Sequence, residues 1–335
     1  SPVSGRGQFV PLDMSFRQTS VSGFPAIALR SSYIEIVAVP TIGMKLTNLR
    51  RLNGREWLWR SDQIPLAPPI PGASFVDTAD SGGWDECFPT VGPCPVPGAP
   101  AGAATLPDHG ELWSARWTSS VYDHAEGTTL AGSAPGTLFP YEFHREVTLD
   151  SARPVVRFRY RVRHTGDTPF PWIWSSHPLL NVQPGSELHL PGVSQVKVDA
   201  VHGRNDLQED EVVGWPGGVS RDADRFTFPP DGGWAAKLFG DIGPESRMRL
   251  TDPRKGERLE IVVDRAVVPQ VGLWINCSGW APPRRKDYYN FGLEPCIGAP
   301  DRLDRAVSDW RTAQILHPGE IREWSLEVWL LEDTD

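Results

Sequence analysis

The sequence predicts an all-β fold, a sandwich of many short strands with long loops over one end. Three observations carry it. Apolar and polar residues alternate with a period of two in most patterned segments, whereas the 3.6-residue period of a helix is weak throughout. Proline (33 residues) and glycine (32) are interspersed between apolar runs, which suits short strands joined by turns. Across 335 residues no shift in composition marks a boundary and no internal repeat appears. One domain over 1–335 is the economical reading, with residues 1–25 as a peripheral N-terminal arm.

In chain order, Tyr33–Val39 and Lys45–Arg51 are the first strand candidates. Asp62–Ala104, rich in Pro and Gly, reads as an insertion over the end of the sandwich. A hairpin follows. Tyr141, Phe143, Arg145, Val147 and Leu149 alternate with Glu142, His144, Glu146 and Thr148, and Asp150-Ser-Ala-Arg-Pro154 is a turn. Val156, Phe158, Tyr160 and Val162 then alternate with Arg157, Arg159, Arg161 and Arg163. Closing the hairpin sets Glu142 and Glu146 beside the arginine stripe, so cross-strand ion pairs explain that stripe. Val213–Gly233 is a second insertion. Trp234–Phe239, Arg258–Asp264, Val271–Asn276 and Glu323–Leu331 complete the strand candidates, and Asp301–Val307 is the best short helix.

Charge and composition narrow the function. The balance of 33 basic and 42 acidic residues, net −9, argues against a nucleic-acid or anionic-membrane partner. No apolar stretch approaches a membrane span, and residues 1–25 lack a signal-like succession, although a start at Ser-Pro leaves a removed leader open. Cys87, Cys94, Cys277 and Cys296 form no CxxC pair, which speaks against a zinc site, and are too few for a disulfide scaffold. Buried thiols in a reducing, cytoplasmic setting are expected.

Three polar clusters carry candidate chemistry. In Phe291-Gly-Leu-Glu294-Pro-Cys-Ile-Gly-Ala-Pro300, alternation turns Glu294 away from the apolar Phe291 and Leu293, and Pro295 is expected to end the strand. Pro171-Trp172-Ile-Trp174-Ser-Ser-His177-Pro178 holds the second cluster. Gly82-Gly-Trp84-Asp85-Glu86-Cys87-Phe88-Pro89, followed by Pro107-Asp-His109-Gly-Glu-Leu-Trp113-Ser-Ala-Arg116, holds the third. A carboxylate and imidazoles together supply a proton acceptor and donor near neutral pH. Trp84, Trp113, Trp174 and Trp274 adjoin these groups, and flat aromatic faces beside fixed polar groups suit sugars. The spacing matches no metal motif, and no GxSxG elbow is present.

The order of these clusters resembles the aldose 1-epimerase, or galactose mutarotase-like, superfamily over about Tyr33 to Leu331. Val39-Pro-Thr-Ile-Gly43 through Asn53-Gly-Arg-Glu56 resembles its opening strands. Gly82 to Pro89 with His109-Gly110 is similar to its sugar-phosphate branch, and Phe139-Pro-Tyr141 to its step into a long hairpin. His177-Pro178 matches the second histidine, and Leu293-Glu294-Pro295 with Pro300-Asp301 the catalytic glutamate segment. The resemblance implies a β-supersandwich that interconverts sugar anomers without a cofactor. Glu294 would take the anomeric hydroxyl proton, His177 would protonate the ring oxygen, and His109 would hydrogen-bond near that oxygen. Asp85, Glu86 and Arg116, with the tryptophans, would bind the sugar. The sequence departs from the family at Pro-Asp-His109-Gly-Glu-Leu-Trp and at Pro178-Leu-Leu. Those departures keep two alternatives in view: a lyase or epimerase acting on an oxidised sugar or glycoside, and a non-catalytic carbohydrate-binding protein.

Overall fold

The computed structural model describes residues 15–332 other than 101 and 231. Two large antiparallel sheets pack face to face. Eleven strands form the first, in the order Phe16–Val21, Phe24–Arg30, Ile34–Val39, Lys45–Arg51, Trp84–Cys87, Trp174–Leu180, Tyr289–Ile297, Gln270–Cys277, Trp234–Asp241, Gln195–His202 and Val212–Gly214. The second has nine and centres on Glu257–Val263, Ile321–Glu332, Val155–His164 and Tyr141–Asp150. Of the N-terminal arm expected over 1–25, residues 1–14 lie outside the described residues, and Phe16–Val21 is the outermost strand of the first sheet. Among the described residues, no helix is long and apolar enough to cross a membrane.

The hairpin closes with Glu142 and Glu146 on the face of the arginine stripe, as expected. Glu142 pairs with Arg163 and Glu146 with Arg159, and Arg163 makes a 2.9 Å ion pair to Glu142. Its other face supplies Phe143, Phe158, Tyr160 and Val162 to the core between the sheets. Two expectations are corrected. Asp62–Ala104 is not only an insertion, because Trp84–Cys87 within it is an interior strand of the first sheet. Both faces of that strand are covered, so its polar Asp85 and Glu86 are buried with Trp84 and Cys87, and the alternation that marks a half-exposed strand is lost. Pro295 does not end its strand either, which runs on to Ile297.

The strand pairing that accommodates Pro295 also shapes the site. Trp174–Leu180 pairs with Tyr289–Ile297 at Trp174–Ile297 and Ser175–Cys296, and again at Leu179–Gly292 and Leu180–Phe291. Between these pairs the ladder is interrupted, and Pro178 and Pro295 both fall in the interruption. A missing N–H costs little where no ladder partner waits for it. The two prolines thus sit where the sheet parts, and His177 and Glu294 sit beside them.

Candidate active site

Period-two alternation decides which side chains reach the outer face of the first sheet. On Trp174–Leu180 these are Ser175 and His177, on Tyr289–Ile297 they are Gly292, Glu294 and Cys296, and on Trp84–Cys87 Asp85 and Cys87. Their neighbours Trp84, Glu86 and Trp174 point the other way. The structure therefore corrects the expectation that these three line the sugar site. Glu86 accepts hydrogen bonds from Trp84 Nε1 (3.2 Å), Trp174 Nε1 (3.0 Å) and the Tyr160 hydroxyl (2.9 Å), and pairs with Arg145 at 3.1 Å. It is a buried tie between the two sheets. Burial pushes its carboxyl up to about 7, against the pull of Arg145.

Glu294 (0 % exposed) and His177 (6 %) meet across the gap in the ladder, with Oε1 and Nε2 3.9 Å apart. Glu294 Oε2 accepts from Ser175 Oγ at 3.3 Å and makes a short ion pair with the Lys237 ammonium, whereas Oε1 has no hydrogen-bond partner. Gly292 precedes Glu294 on the same face. A Cβ there would overlap Oε1, so glycine is what lets the carboxylate lie against the sheet. Lys237 also lies 3.3 Å from Asp301 Oδ1. Burial opposes its charge, but Asp301 and Glu294 together raise its pKa above the ordinary lysine value. A second buried cation, Lys45, pairs with Asp85 at 2.5 Å and donates to the Gly82 carbonyl at 2.7 Å.

His109 arrives from the loop after Leu106. Its φ of +59° and that of Gly110 (+71°) make the turn, and a Cβ on Gly110 would strike the Phe88 backbone. Asp108 Oδ1 lies 2.8 Å from His109 Nδ1 and fixes the ring, while Asp108 Oδ2 accepts from the Val76 amide at 3.1 Å. Burial works against charge on His109, yet Asp108 raises its pKa above the ordinary histidine value. The rings of His109 and His177 stand edge to face at 4.8 Å. Burial, then the charges of His109, Lys237 and Lys45, push His177 well below the ordinary value. The surroundings thus favour charge on His109 over His177, the imidazole that the family resemblance implies as acid.

Phe75, on the short helix Phe75–Thr78, stacks on His109 at 4.0 Å, meets His177 edge-on at 6.2 Å and lies under Lys45. Trp113 packs against it at 5.4 Å. The segment 62–82 therefore covers this end of the cluster. Phe75→Ala removes that cover and costs roughly 3 kcal/mol of local stability, making the opened segment about a hundredfold more populated. Amide exchange across 75–80 checks this: a rate unchanged from the native chain would show that Phe75 does not hold the segment down.

Trp274 is half-buried beside the cluster and meets Trp280 at 5.5 Å, and Trp280 meets Tyr288 at 6.4 Å. Trp274 pairs with Gly292, two residues before Glu294 on the neighbouring strand. Arg116 does not stand where it was expected: it is exposed and lines a surface groove with Pro69, Trp117 and Leu138. Among the described residues, no group of three or more His, Cys, Asp or Glu side chains is arranged to hold a metal ion. The two lysines, Asp108, Asp301 and Phe75 were missed as site residues. Lys237 had a signal, as the one charge in the apolar run Trp234-Ala-Ala-Lys-Leu-Phe239. Phe75 had none.

The sequence matches no family model and no curated protein. Solved structures do match. The Slr1438 protein from Synechocystis sp. PCC 6803 is 16% identical, with 92% of this chain and 96% of that one aligned at a TM-score of 0.68. A galactose mutarotase related enzyme from Lactobacillus acidophilus is 15% identical over 92% and 98% of the two chains, TM-score 0.64. A galactose mutarotase-like protein from Lactobacillus casei is 16% identical over 91% and 100%, TM-score 0.61. At these identities the likeness speaks to the fold. The chain has the galactose mutarotase-like β-sandwich fold, in a divergent form.

Proposed function

We propose that this chain is an aldose 1-epimerase-like isomerase that interconverts the anomers of a small sugar by opening and reclosing its ring. One observation carries the reading. Glu294 Oε1, buried and without a hydrogen-bond partner, faces His177 Nε2 at 3.9 Å on one side of the sheet. Two such groups side by side suit two oxygens borne by one carbon, the anomeric hydroxyl and the ring oxygen. Glu294 takes the hydroxyl proton as the C1 carbonyl forms and the bond from C1 to the ring oxygen breaks. That oxygen takes a proton from His177, and the His109 ring stands edge to face beside it. Rotation about C1–C2 and closure on the other face return both protons.

Trp274 and Trp280 offer aromatic faces to the apolar side of a sugar. Asp85 Oδ1 and His177 Nδ1, both without hydrogen-bond partners, offer polar contacts for hydroxyls. Entry of the sugar displaces Phe75. The four cysteines are free and buried, which fits a reducing, cytoplasmic setting.

A second reading, removal of a proton beside the carbonyl of an oxidised sugar, is favoured by the Lys237 ammonium, since an enolate needs a nearby cation. One experiment separates the two. Exchange NMR across a panel of free and oxidised sugars in D₂O is expected to show faster anomer exchange for at least one sugar when protein is added. Deuterium entering carbon next to a carbonyl, or an unsaturated product, supports the second reading instead. A sugar that binds while its anomer exchange keeps the buffer rate, with no deuterium entering carbon and no unsaturated product, leaves a carbohydrate-binding protein and overturns both.

A further inference from the structure

We propose that Lys237 is a positioning residue that clamps one oxygen of Glu294 and commits the other to the substrate, an inference that rests on the isomerase reading above. The geometry is specific. Lys237 stands two strands from Glu294, across Gln270–Cys277. That intervening strand carries Gly272 opposite both Phe239 and Glu294. A Cβ at Gly272 would come within 3.1 Å of Phe239 and 3.3 Å of Glu294 Oε2. Without a side chain at that point, ammonium and carboxylate meet over the strand between them.

The clamp is one-sided. Glu294 Oε2 holds both Lys237 and Ser175 Oγ, and Oε1 holds neither. A carboxylate with both oxygens engaged is a poor proton acceptor, and one with neither engaged is free to turn away. Lys237 is itself fixed from behind. Asp301 Oδ1 lies 3.3 Å from it, the Asp301 amide donates to Asp199 Oδ2 at 3.3 Å, and Arg305 pairs with Asp199 at 2.9 Å. A buried lysine that only neutralised Glu294 would need neither the second carboxylate nor the glycine.

Charged and titratable groups face Glu294 from each neighbouring element. His177 comes from Trp174–Leu180, Cys87 and Asp85 from Trp84–Cys87, Lys237 from Trp234–Asp241, Cys296 from its own strand and Asp301 from the turn after it. Burial pushes both thiols well up, so they stay neutral near pH 7. His177 is pushed down and is neutral there as well. Lys237, which touches Glu294, and Asp301, which touches Lys237, are therefore the charges whose removal moves the acid side of a rate profile, and they act with opposite sign.

The test measures kcat, KM and the pH profile of anomer exchange on a sugar that the native chain converts. Lys237→Met leaves Glu294 facing Asp301 with no cation between them, so the carboxylate pair takes up a proton at higher pH. The acid limb moves up by about one pH unit or more and kcat falls about a hundredfold, with KM little changed. Asp301→Asn removes the opposing charge and moves the acid limb down, and it supplies the answer if Lys237→Met does not fold. A folded Lys237→Met chain with native kcat and profile, or an Asp301→Asn profile that stays put or moves up, overturns the role of Lys237 and leaves the isomerase reading standing. If no sugar is converted by the native chain, the isomerase reading fails and this inference falls with it.

Discussion

Glu294→Gln lowers the rate of anomer exchange by about 10³-fold while changing sugar affinity only a few-fold. The substitution keeps the volume of the side chain and the space that Gly292 and Gly272 leave for it. A glutamine oxygen can still accept from Lys237, and Asp301 remains 3.3 Å from that ammonium, so the cation is not left uncompensated. The amide, however, takes no proton at neutral pH, and proton transfer from the anomeric hydroxyl loses its acceptor. Exchange NMR gives the rate and calorimetric titration gives the affinity. A variant that binds and exchanges within tenfold of the native chain would place the base elsewhere. A variant that loses rate and affinity together would show Glu294 to be a binding group.

Parts of this site could be read directly from local alternation, and parts could not. Glu294 was turned away from Phe291 and Leu293 by period two alone, and the structure agrees: the two apolar residues are in the core and the carboxylate is on the opposite face. The hairpin and its arginine stripe were legible for the same reason, because one side of that sheet meets solvent. Trp84–Cys87 was hidden by the converse situation. With both faces covered, a buried strand reads Trp-Asp-Glu-Cys, and nothing local separates the carboxylate that faces the site from the one that faces the core. The aromatic residues around Glu86 misled the reading because tryptophans beside a carboxylate serve a buried hub as well as a sugar. Phe75, on a short helix, reaches His109, on a separate loop, through the fold, which adjacency in sequence does not encode.

At pH 8, Arg145→Met destabilises the chain by roughly 3–5 kcal/mol, the range for removing one partner of a buried ion pair. Arg145 was visible in the sequence as the one charge among Tyr141, Phe143, Val147 and Leu149, and a charge on an apolar face calls for a buried partner. Its Nη1 donates to the Met44 carbonyl at 2.9 Å and its Nη2 lies 3.1 Å from Glu86, so it ties the second sheet to the first. Methionine fills similar space but leaves Glu86 with three neutral donors and no cation. The cost depends on pH. Burial raises Glu86 from the ordinary carboxylate range to about 7, so the folded chain holds a proton there that the unfolded chain releases near pH 4.5. The stability gained from that proton is lost as pH rises through about 7, where the folded chain must carry the charge. Without Arg145 that charge is costlier, so the deficit of the variant is small at pH 5.5, where Glu86 is protonated in both chains, and grows towards pH 8. Thermal or urea unfolding at the two pH values measures it, and Glu86→Gln in the same chain is expected to recover most of the loss at pH 8. A deficit equal at both pH values, and untouched by Glu86→Gln, would mean that Arg145 stabilises through its packing and its bond to Met44 rather than through the carboxylate.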